Sequence, residues 1–565
     1  MNILPLILAV VQPLWPEGKI PDFQENQIAA PSEISCKPGF DCAAHRMPYL
    51  EWSEKPAKPN GSCVILISGG GYECTCDGPA FKPLEKALLD NGVTCVWLWY
   101  RTPRPAGLPI YQWGWEDGQR AVRLVRAAAT KRGFHPERIG VLGCSAGSHL
   151  AVMLATSALT PAYEKVDETD SIPCHVNFAI PMCVAYALTD GLTDANVLSG
   201  DSPDVKLNPC FKFDAKTCPM CLFHGGKDPY SPNGSTQIYR QLRRMKVPAE
   251  LHLDPDRGHG PVDAKKFGRA IEFMRQMSFL EPRAPEEDLL KRTNDDGRGE
   301  YSGRLDIWPK DRTPDAQKNQ CVPYIEWHMP KELKTKAIQI IYSGGCYTGN
   351  GPDGQEVAPV RRFLNEHGMA VVTLRYRCPN NDRARKHVAP WQDLQRTIRI
   401  VRSEAAAKGL DPNRIGIMGA SAGGHLTLMG ATSSMHQSYL PIDDIDKLPC
   451  NVQWAVAVYP AYSLTDGLDR CNVTGGNDDN ARLAPEFSFD LATCPILFLH
   501  GDADGWAAMN SVKCWEQLRR MGIQGELHTF ATRKHCFQFK ASPGTGSYTF
   551  RDRIWDFLSF KGFNK

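Results

Sequence analysis

The chain has 565 residues, 42% hydrophobic and 23% charged with 48 glycines, which excludes a disordered polypeptide and is more than one ordinary core holds. Lys and Arg number 65 against 63 for Asp and Glu, and no long basic run occurs. The electrostatic footprint of a nucleic-acid binder is therefore missing, and a neutral substrate suits the surface.

The chain opens on MNILPLILAVVQ, a short apolar stretch with no basic start and no small-residue cleavage site. A bilayer span needs roughly 20 apolar residues, so this stretch is either a truncated export signal or an edge strand. We take residues 1–12 as an appendage of the export type and expect a periplasmic or extracellular protein. No other segment is long and apolar enough for a membrane.

Of the 20 cysteines, Cys63, Cys95 and Cys221 sit in apolar runs, where free Cys packs as a small hydrophobe. Cys36 and Cys42 in a polar loop, and Cys74 and Cys76 after a glycine-rich turn, are the better candidates for oxidation in an exported protein. Cys218 and Cys221 form a CxxC, but its counterpart Cys494-Pro-Ile-Leu497 has lost the second thiol, which favours strand packing over metal.

An internal repeat organises the chain. PYLEW at 48–52 returns as PYIEW at 323–327, SGGGY at 68–72 as SGGCY at 343–347, WYR at 99–101 as RYR at 375–377, and WED at 115–117 as WQD at 391–393. RIGVLGCSAGSHL is then matched by RIGIMGASAGGHL, and LFHGGKD by FLHGDAD. Order is kept throughout, as a duplication requires. The polar stretch 281–304 reads as a linker between copies at 13–280 and 305–565. In each copy short apolar runs such as VILISGG alternate with helical patterns such as DGQRAVRLVRAAATKRG. This predicts two tandem α/β domains, each a mostly parallel sheet with helices on both faces, with chemistry at the carboxyl ends of the strands.

At one such end, Gly143-Cys144-Ser145-Ala146-Gly147 and Gly419-Ala420-Ser421-Ala422-Gly423 lie between a buried strand and a helix. Glycines there allow a sharp turn that lifts the serine hydroxyl above the sheet. Serine needs an imidazole to take its proton and a carboxylate to orient that imidazole. Asp228 and Asp504 follow a later apolar strand, and His259 and His535 follow another. Each pair, like Ser145 and Ser421, is 276 residues apart, so the spacing within both Ser-Asp-His sets is the same. Asp190 and Asp466, in the repeated LTDG, are the alternative acids. His252 and His528 read as packing residues, His224 and His500 as shapers of the acid loop, and His149 and His425 as supports behind the serine.

Acyl transfer also needs donors for the developing oxyanion. Ala146 and Ala422 follow the serines, and Gly70 and Gly71, or Gly345 and Cys346, lie in the earlier glycine turn. Tyr72, Tyr347, Trp113, Trp115, Trp391 and Trp506 could form a platform for a sugar ring, though Trp115 and Trp391 equally staple a helix start. No zinc, P-loop or dinucleotide fingerprint is found, so no cofactor is expected.

On SGGGY/SGGCY, WED/WQD, GCSAGSHL/GASAGGHL, HGGKD/HGDAD and the late RGHG/RKHC, both copies resemble the α/β-hydrolase superfamily, particularly acetylxylan-esterase-like and feruloyl-esterase-like carbohydrate esterases. The resemblance implies ester hydrolysis through an acyl-serine on acetylated or feruloylated plant-type polysaccharide, without metal or organic cofactor. A peptidase of the same fold and a binding or scaffold protein with one inactive domain are the competing readings. The second copy departs where Cys346 replaces a glycine and where Gly505-Trp506-Ala507-Ala508 replaces Pro229-Tyr230-Ser231-Pro232.

Overall fold

The fully apolar runs of each repeat become strands buried on both faces, so the sheet's layout follows from where those runs fall. The computed structural model describes residues 10–24, 42–76, 81–189, 205–281, 300–351, 356–380, 385–465, 481–537 and 550–564. The chain divides into two units, Met1–Pro282 and Arg283–Lys565.

The first unit runs β1 (Val10–Pro13), β2 (Cys42–Ala43), β3 (Tyr49–Trp52), β4 (Cys63–Ile67), β5 (Thr75–Cys76), α1 (Lys82–Asp90), β6 (Thr94–Trp99), α2 (Gln112–Arg132), β7 (Ile139–Cys144), α3 (Ala146–Thr156), β8 (Phe178–Met182), β9 (Met220–Gly225), α4 (Asn233–Arg244), β10 (Ala249–Asp254) and α5 (Ala264–Gln276). Its sheet has the order β1-β3-β6-β4-β7-β8-β9-β10; the pairings of β3 with β1 and β6 are antiparallel and the others parallel. β2 and β5 form a separate antiparallel ribbon.

The second unit repeats the plan with β11 (Glu300–Asp306), β12 (Tyr324–Met329), β13 (Ile338–Tyr342), α6 (Ala358–Glu366), β14 (Ala370–Arg375), α7 (Val388–Ala405), β15 (Ile415–Ala420), α8 (Ala422–Thr432), β16 (Trp454–Val458), β17 (Ile496–Gly501), α9 (Met509–Arg520), β18 (Gly525–Phe530) and α10 (Phe550–Phe560). Its order is β11-β12-β14-β13-β15-β16-β17-β18, again antiparallel only around β12. The fold expectation therefore holds in both copies. The glycine of RIG is set by packing: a Cβ at Gly140 would stand 2.3 Å from the Phe178 ring, and one at Gly416 1.9 Å from Trp454.

Two boundaries differ from the sequence reading. Val10–Pro13 is an edge strand paired with Tyr49–Trp52, and Glu300–Asp306 takes the same place beside Tyr324–Met329, so the opening segment does have a counterpart in the second copy. Residues 300–304, expected in the linker, thus belong to a strand, whereas 1–9 and 282–299 lie outside the described residues. An edge strand is bonded on one side only and can carry a polar sequence such as EYSGRLD, which hides it from a search for apolar alternation. Among the described residues no helix is long and apolar enough to cross a membrane.

Candidate active site

Ser145 stands alone between β7 and α3, with φ 59° and ψ −124°, and Ser421 between β15 and α8 has φ 58° and ψ −120°. A non-glycine residue held there costs about 1–3 kcal/mol, and such strain persists only where the surroundings over-determine it. The flanking glycines supply that constraint. A Cβ at Gly143 would meet the Gly147 carbonyl at 2.2 Å, and one at Gly147 the Ile67 carbonyl at 2.3 Å, so strand and helix close on the turn. The Ser145 N–H donates to the Met182 carbonyl and that of Ser421 to Val458, fixing each serine at the carboxyl end of the next strand.

Loops beyond β9 and β10 bring the other residues in. His259 Nε2 lies 2.8 Å from Ser145 Oγ, and its Nδ1 is 2.9 and 3.0 Å from the two Asp228 oxygens. In the second unit His535 Nε2 is 2.8 Å from Ser421 Oγ and Nδ1 is 2.8 Å from Asp504 Oδ2. The acid loops are shaped alike. Asp228 Oδ1 accepts the Tyr230 N–H and Asp504 Oδ1 the Trp506 N–H, each at 2.8 Å. His224 joins Ser235 Oγ at 2.8 Å and the Tyr230 carbonyl at 3.0 Å, with Nε2 3.4 Å from Asp228; His500 does the same with Ser511, Trp506 and Asp504. Burial alone would raise both Asp carboxyls, but the bonds of His224 and His259, or His500 and His535, hold them below the usual carboxylate range. His252 and His528 bond Glu250 and Glu526 within their own strands. The alternative acids Asp190 and Asp466 lie outside the described residues.

The glycine turn presses against the serine. A Cβ on Gly69 would stand 2.8 Å from Ser145 Cβ, and one on Gly344 2.7 Å from Ser421 Cβ. Beyond them Gly70 and Gly71 take φ 129° and 64°, and Gly345 and Cys346 103° and 55°. Among the described residues the backbone N–H groups of Gly70, Gly71 and Ala146 have no acceptor, nor do those of Gly345, Cys346 and Ala422. Three unclaimed donors beside each serine hydroxyl are the arrangement an oxyanion requires.

Tyr72 and Tyr347 are buried and offer no open ring face to a sugar; each phenol instead lies 2.8 Å from Nδ1 of the histidine four residues after the serine, His149 or His425. Behind that histidine the copies diverge: His149 Nε2 faces Cys210 Sγ at 3.4 Å, whereas His425 Nε2 is 3.0 Å from Glu486. Trp113 is packed under the Arg101 guanidinium, the buried indole nitrogens of Trp115 and Trp391 meet no acceptor among the described residues, and Trp506 is wedged against Tyr462.

Two acidic residues of the second site, Glu486 and Glu356, were not singled out by sequence. Neither falls in a repeated motif, so only a position-by-position comparison of the copies would have raised them.

Among the described residues three clusters have donor atoms close enough for a metal: Cys42, Cys74 and Cys76; Cys183, Asp228 and His259; and Cys221, Glu250 and His252. In the last, Arg269 Nε already holds Glu250 at 2.7 Å. In the second, Asp228 is committed to His259 and Cys183 Sγ donates to the Gly260 carbonyl at 3.0 Å. Cys74 and Cys76 are free thiols 3.9 Å apart and not the bonded pair the sequence offered, while Cys42 is disulfide-bonded and Cys36 lies outside the described residues.

The family model BD-FAE matches the chain twice, over residues 52–242 and 325–514. An acetylxylan esterase of Xylanibacter ruminicola is 34% identical over 224 residues, covering 37% of this chain and 43% of that protein. The esterase LipQ of Mycobacterium tuberculosis is 27% identical over 213 residues, covering 34% of this chain and 48% of that one. The match to these curated relatives thus spans less than half of either one's length. Among solved structures, the acetyl ester-xyloside bifunctional hydrolase of Caldicellulosiruptor lactoaceticus is 23% identical, with 46% of this chain and 97% of that chain covered at a TM-score of 0.38.

Proposed function

The chain belongs to the BD-FAE family, and from that premise we propose that it is a serine carboxylic-ester hydrolase with two active sites, removing acetyl or feruloyl groups from plant-type polysaccharide or oligosaccharide. The observation that carries the reading is the Ser145–His259–Asp228 and Ser421–His535–Asp504 geometry with unclaimed N–H donors beside each serine.

Ser Oγ attacks the ester carbonyl while His Nε2 takes its proton, and the Asp carboxylate stabilises the imidazolium and fixes its tautomer. The carbonyl oxygen, now negative, is received by the N–H groups of Gly70, Gly71 and Ala146, or of Gly345, Cys346 and Ala422. Donors of this kind are each worth about 3–4 kcal/mol. The imidazolium returns its proton to the departing sugar hydroxyl, leaving an acyl-serine. Water activated by the same histidine then releases the acid.

Support for a carbohydrate ester comes from the similarity to the acetylxylan esterase of Xylanibacter ruminicola. The test is Ser145→Ala, Ser421→Ala and the double variant, assayed on 4-nitrophenyl acetate and acetylated xylan. The double variant is expected to lose turnover by a factor of about 10⁴ or more. Wild-type rates in the double variant would remove the assignment, and loss in only one single variant would leave one working site.

A further inference from the structure

Beside Ser421 the second unit holds a carboxylate for which the proposed mechanism has no use. Glu356 Oε2 accepts the Gly344 N–H at 2.5 Å, and a Cβ built on Gly344 would lie 3.2 Å from that oxygen and 2.7 Å from Ser421 Cβ. The other carboxylate oxygen meets the Tyr459 hydroxyl at 3.3 Å, and the Tyr459 ring stands edge-on to His535 at 4.7 Å. Glu356 is thus enclosed by the glycine turn, the serine elbow, the residue after β16 and the histidine loop. No Lys or Arg pairs with it among the described residues, so its charge is balanced only by an N–H, a phenol and the nearby imidazole.

The sequence of the first copy differs at the corresponding positions. Pro83 near the start of α1 corresponds to Pro359 of α6, and counting back along both chains puts Ala80 opposite Glu356 and Cys183 opposite Tyr459. Ala80 lies outside the described residues, while the buried Cys183 is replaced by the larger, polar Tyr459. Ser421 is only 4% exposed, whereas Ser145 is half-buried.

From this we infer that Glu356 is a specificity-determining residue of the second site: it makes that site reject esters carrying a negative charge near the scissile bond and accept neutral ones, while the first site takes both. The physical cause is like-charge repulsion in a partly desolvated cleft, where two anions a few ångströms apart interact several times more strongly than in water. A neutral ester meets no such opposition, and its hydroxyls find an acceptor in Glu356. On an acylated polysaccharide the charged class is the ester next to an acidic sugar. The division of labour rests on the esterase reading of both serines.

The test uses the full chain at about pH 8, with Ser145→Ala to isolate the second site and Ser421→Ala to isolate the first. The substrates are 4-acetoxybenzoate, anionic, and its neutral methyl ester, compared as the ratio of kcat/KM. In the Ser145→Ala background, Glu356→Gln is expected to raise the anionic-to-neutral ratio about tenfold, towards that of the first site. A ratio unchanged within about twofold would overturn the inference. Should Glu356→Gln lose turnover of both esters, the Ser145→Ala protein with Glu356 intact decides: raising salt from about 0.05 to 0.5 M must raise its ratio, because salt screens the repulsion, and a flat ratio overturns the inference. Turnover persisting in the Ser145→Ala/Ser421→Ala protein would instead sink the assignment of the two serines, whatever the ratio shows.

Discussion

The phenol of Tyr72 lies 2.8 Å from Nδ1 of His149, tying the last residue of the glycine turn to the helix that starts after Ser145. Burial pushes His149 down to about 3, so this bond joins two neutral groups in a dry interior. The proposed oxyanion donors Gly70 and Gly71 immediately precede Tyr72, so their aim depends on a buried contact behind the serine. Tyr72→Phe in a Ser421→Ala background is expected to lower kcat about tenfold with KM within twofold, since donor placement acts on the transition state more than on ground-state binding. The parallel variant Tyr347→Phe should do the same to the second site. Steady-state kinetics on 4-nitrophenyl acetate read both, and an unchanged kcat would show the bond to be structural only.

Asp228 against Asp190 is a contest that the sequence leaves open and that kinetics can close. Asp228 touches both His259 Nδ1 and the Tyr230 N–H, so an amide in its place keeps the shape but presents the wrong partner to the imidazole. Asp228→Asn is expected to cut the first site's kcat by a factor of about 10³–10⁴. Asp190→Asn should leave it within about threefold of its parent.

Arg101 and Asp117 form the buried hub of the first unit. Arg101 Nε lies 3.0 Å from both Asp117 oxygens, its own N–H donates to Oδ2 at 2.8 Å, and the Trp15 indole donates to Oδ1 at 2.8 Å. Arg377, Asp393 and Trp308 repeat the arrangement. Asp117→Asn leaves the buried guanidinium with only Glu116, 2.6 Å away, as counter-charge and is expected to cost up to about 3 kcal/mol. Denaturant unfolding followed on the first unit's transition measures this, and a loss below about 1 kcal/mol would mean the hub is not what holds the chain entry against α2.

This hub also shows where sequence reading stops. WYR and WED are legible as repeated words, and so are the serine elbows, because chemistry and close packing fix those residues locally. That Arg101 of one word grips Asp117 of the other, with Trp15 arriving from the chain entry, depends on side chains meeting 16 and 102 residues apart. The sheet was legible for a simple reason: strands such as Cys63–Ile67 are buried on both faces and cannot hide. Glu356 was hidden by the opposite circumstance. It lies in a polar stretch outside the repeated words, where the first copy carries Ala80, and only folding carries it to Ser421.

Acid should weaken the fold through carboxylates held below their ordinary range. Glu250 is buried, which alone would raise it, yet Arg269 and His252 bring it down to about 2, and Asp228 and Asp504 are likewise depressed. A group whose folded pKa is depressed contributes stability that is complete above its unfolded value and is lost as pH falls towards the folded one. Tm is therefore expected to fall steadily from about pH 5 to about pH 2, whereas between about pH 5 and 7 the buried His149, lowered to about 3, and Glu116, raised to about 7, act in opposite senses. Glu250→Gln should have a lower Tm at neutral pH, because Arg269 loses its partner, and a shallower fall in acid; an equally steep fall would exclude Glu250 as a contributor.

Cys346 holds the left-handed conformation, φ 55°, that Gly71 holds in the first unit at 64°. A side chain there costs about 1–3 kcal/mol of backbone strain, offset by the lower unfolded-state entropy of a non-glycine residue, about 0.4–1 kcal/mol. Cys346→Gly is therefore expected to stabilise the second unit by up to about 2.5 kcal/mol. Because the backbone N–H is kept, kcat/KM on a neutral ester should stay within about threefold. The reverse change meets an added obstacle: a Cβ on Gly71 would stand 3.3 Å from the Tyr186 hydroxyl, so Gly71→Cys combines strain with a tight contact. It should destabilise the first unit by about 1–2 kcal/mol. Opposite signs in the two units, read from their unfolding transitions, would establish that the second copy carries its cysteine at a conformational cost; the same sign in both would refute it.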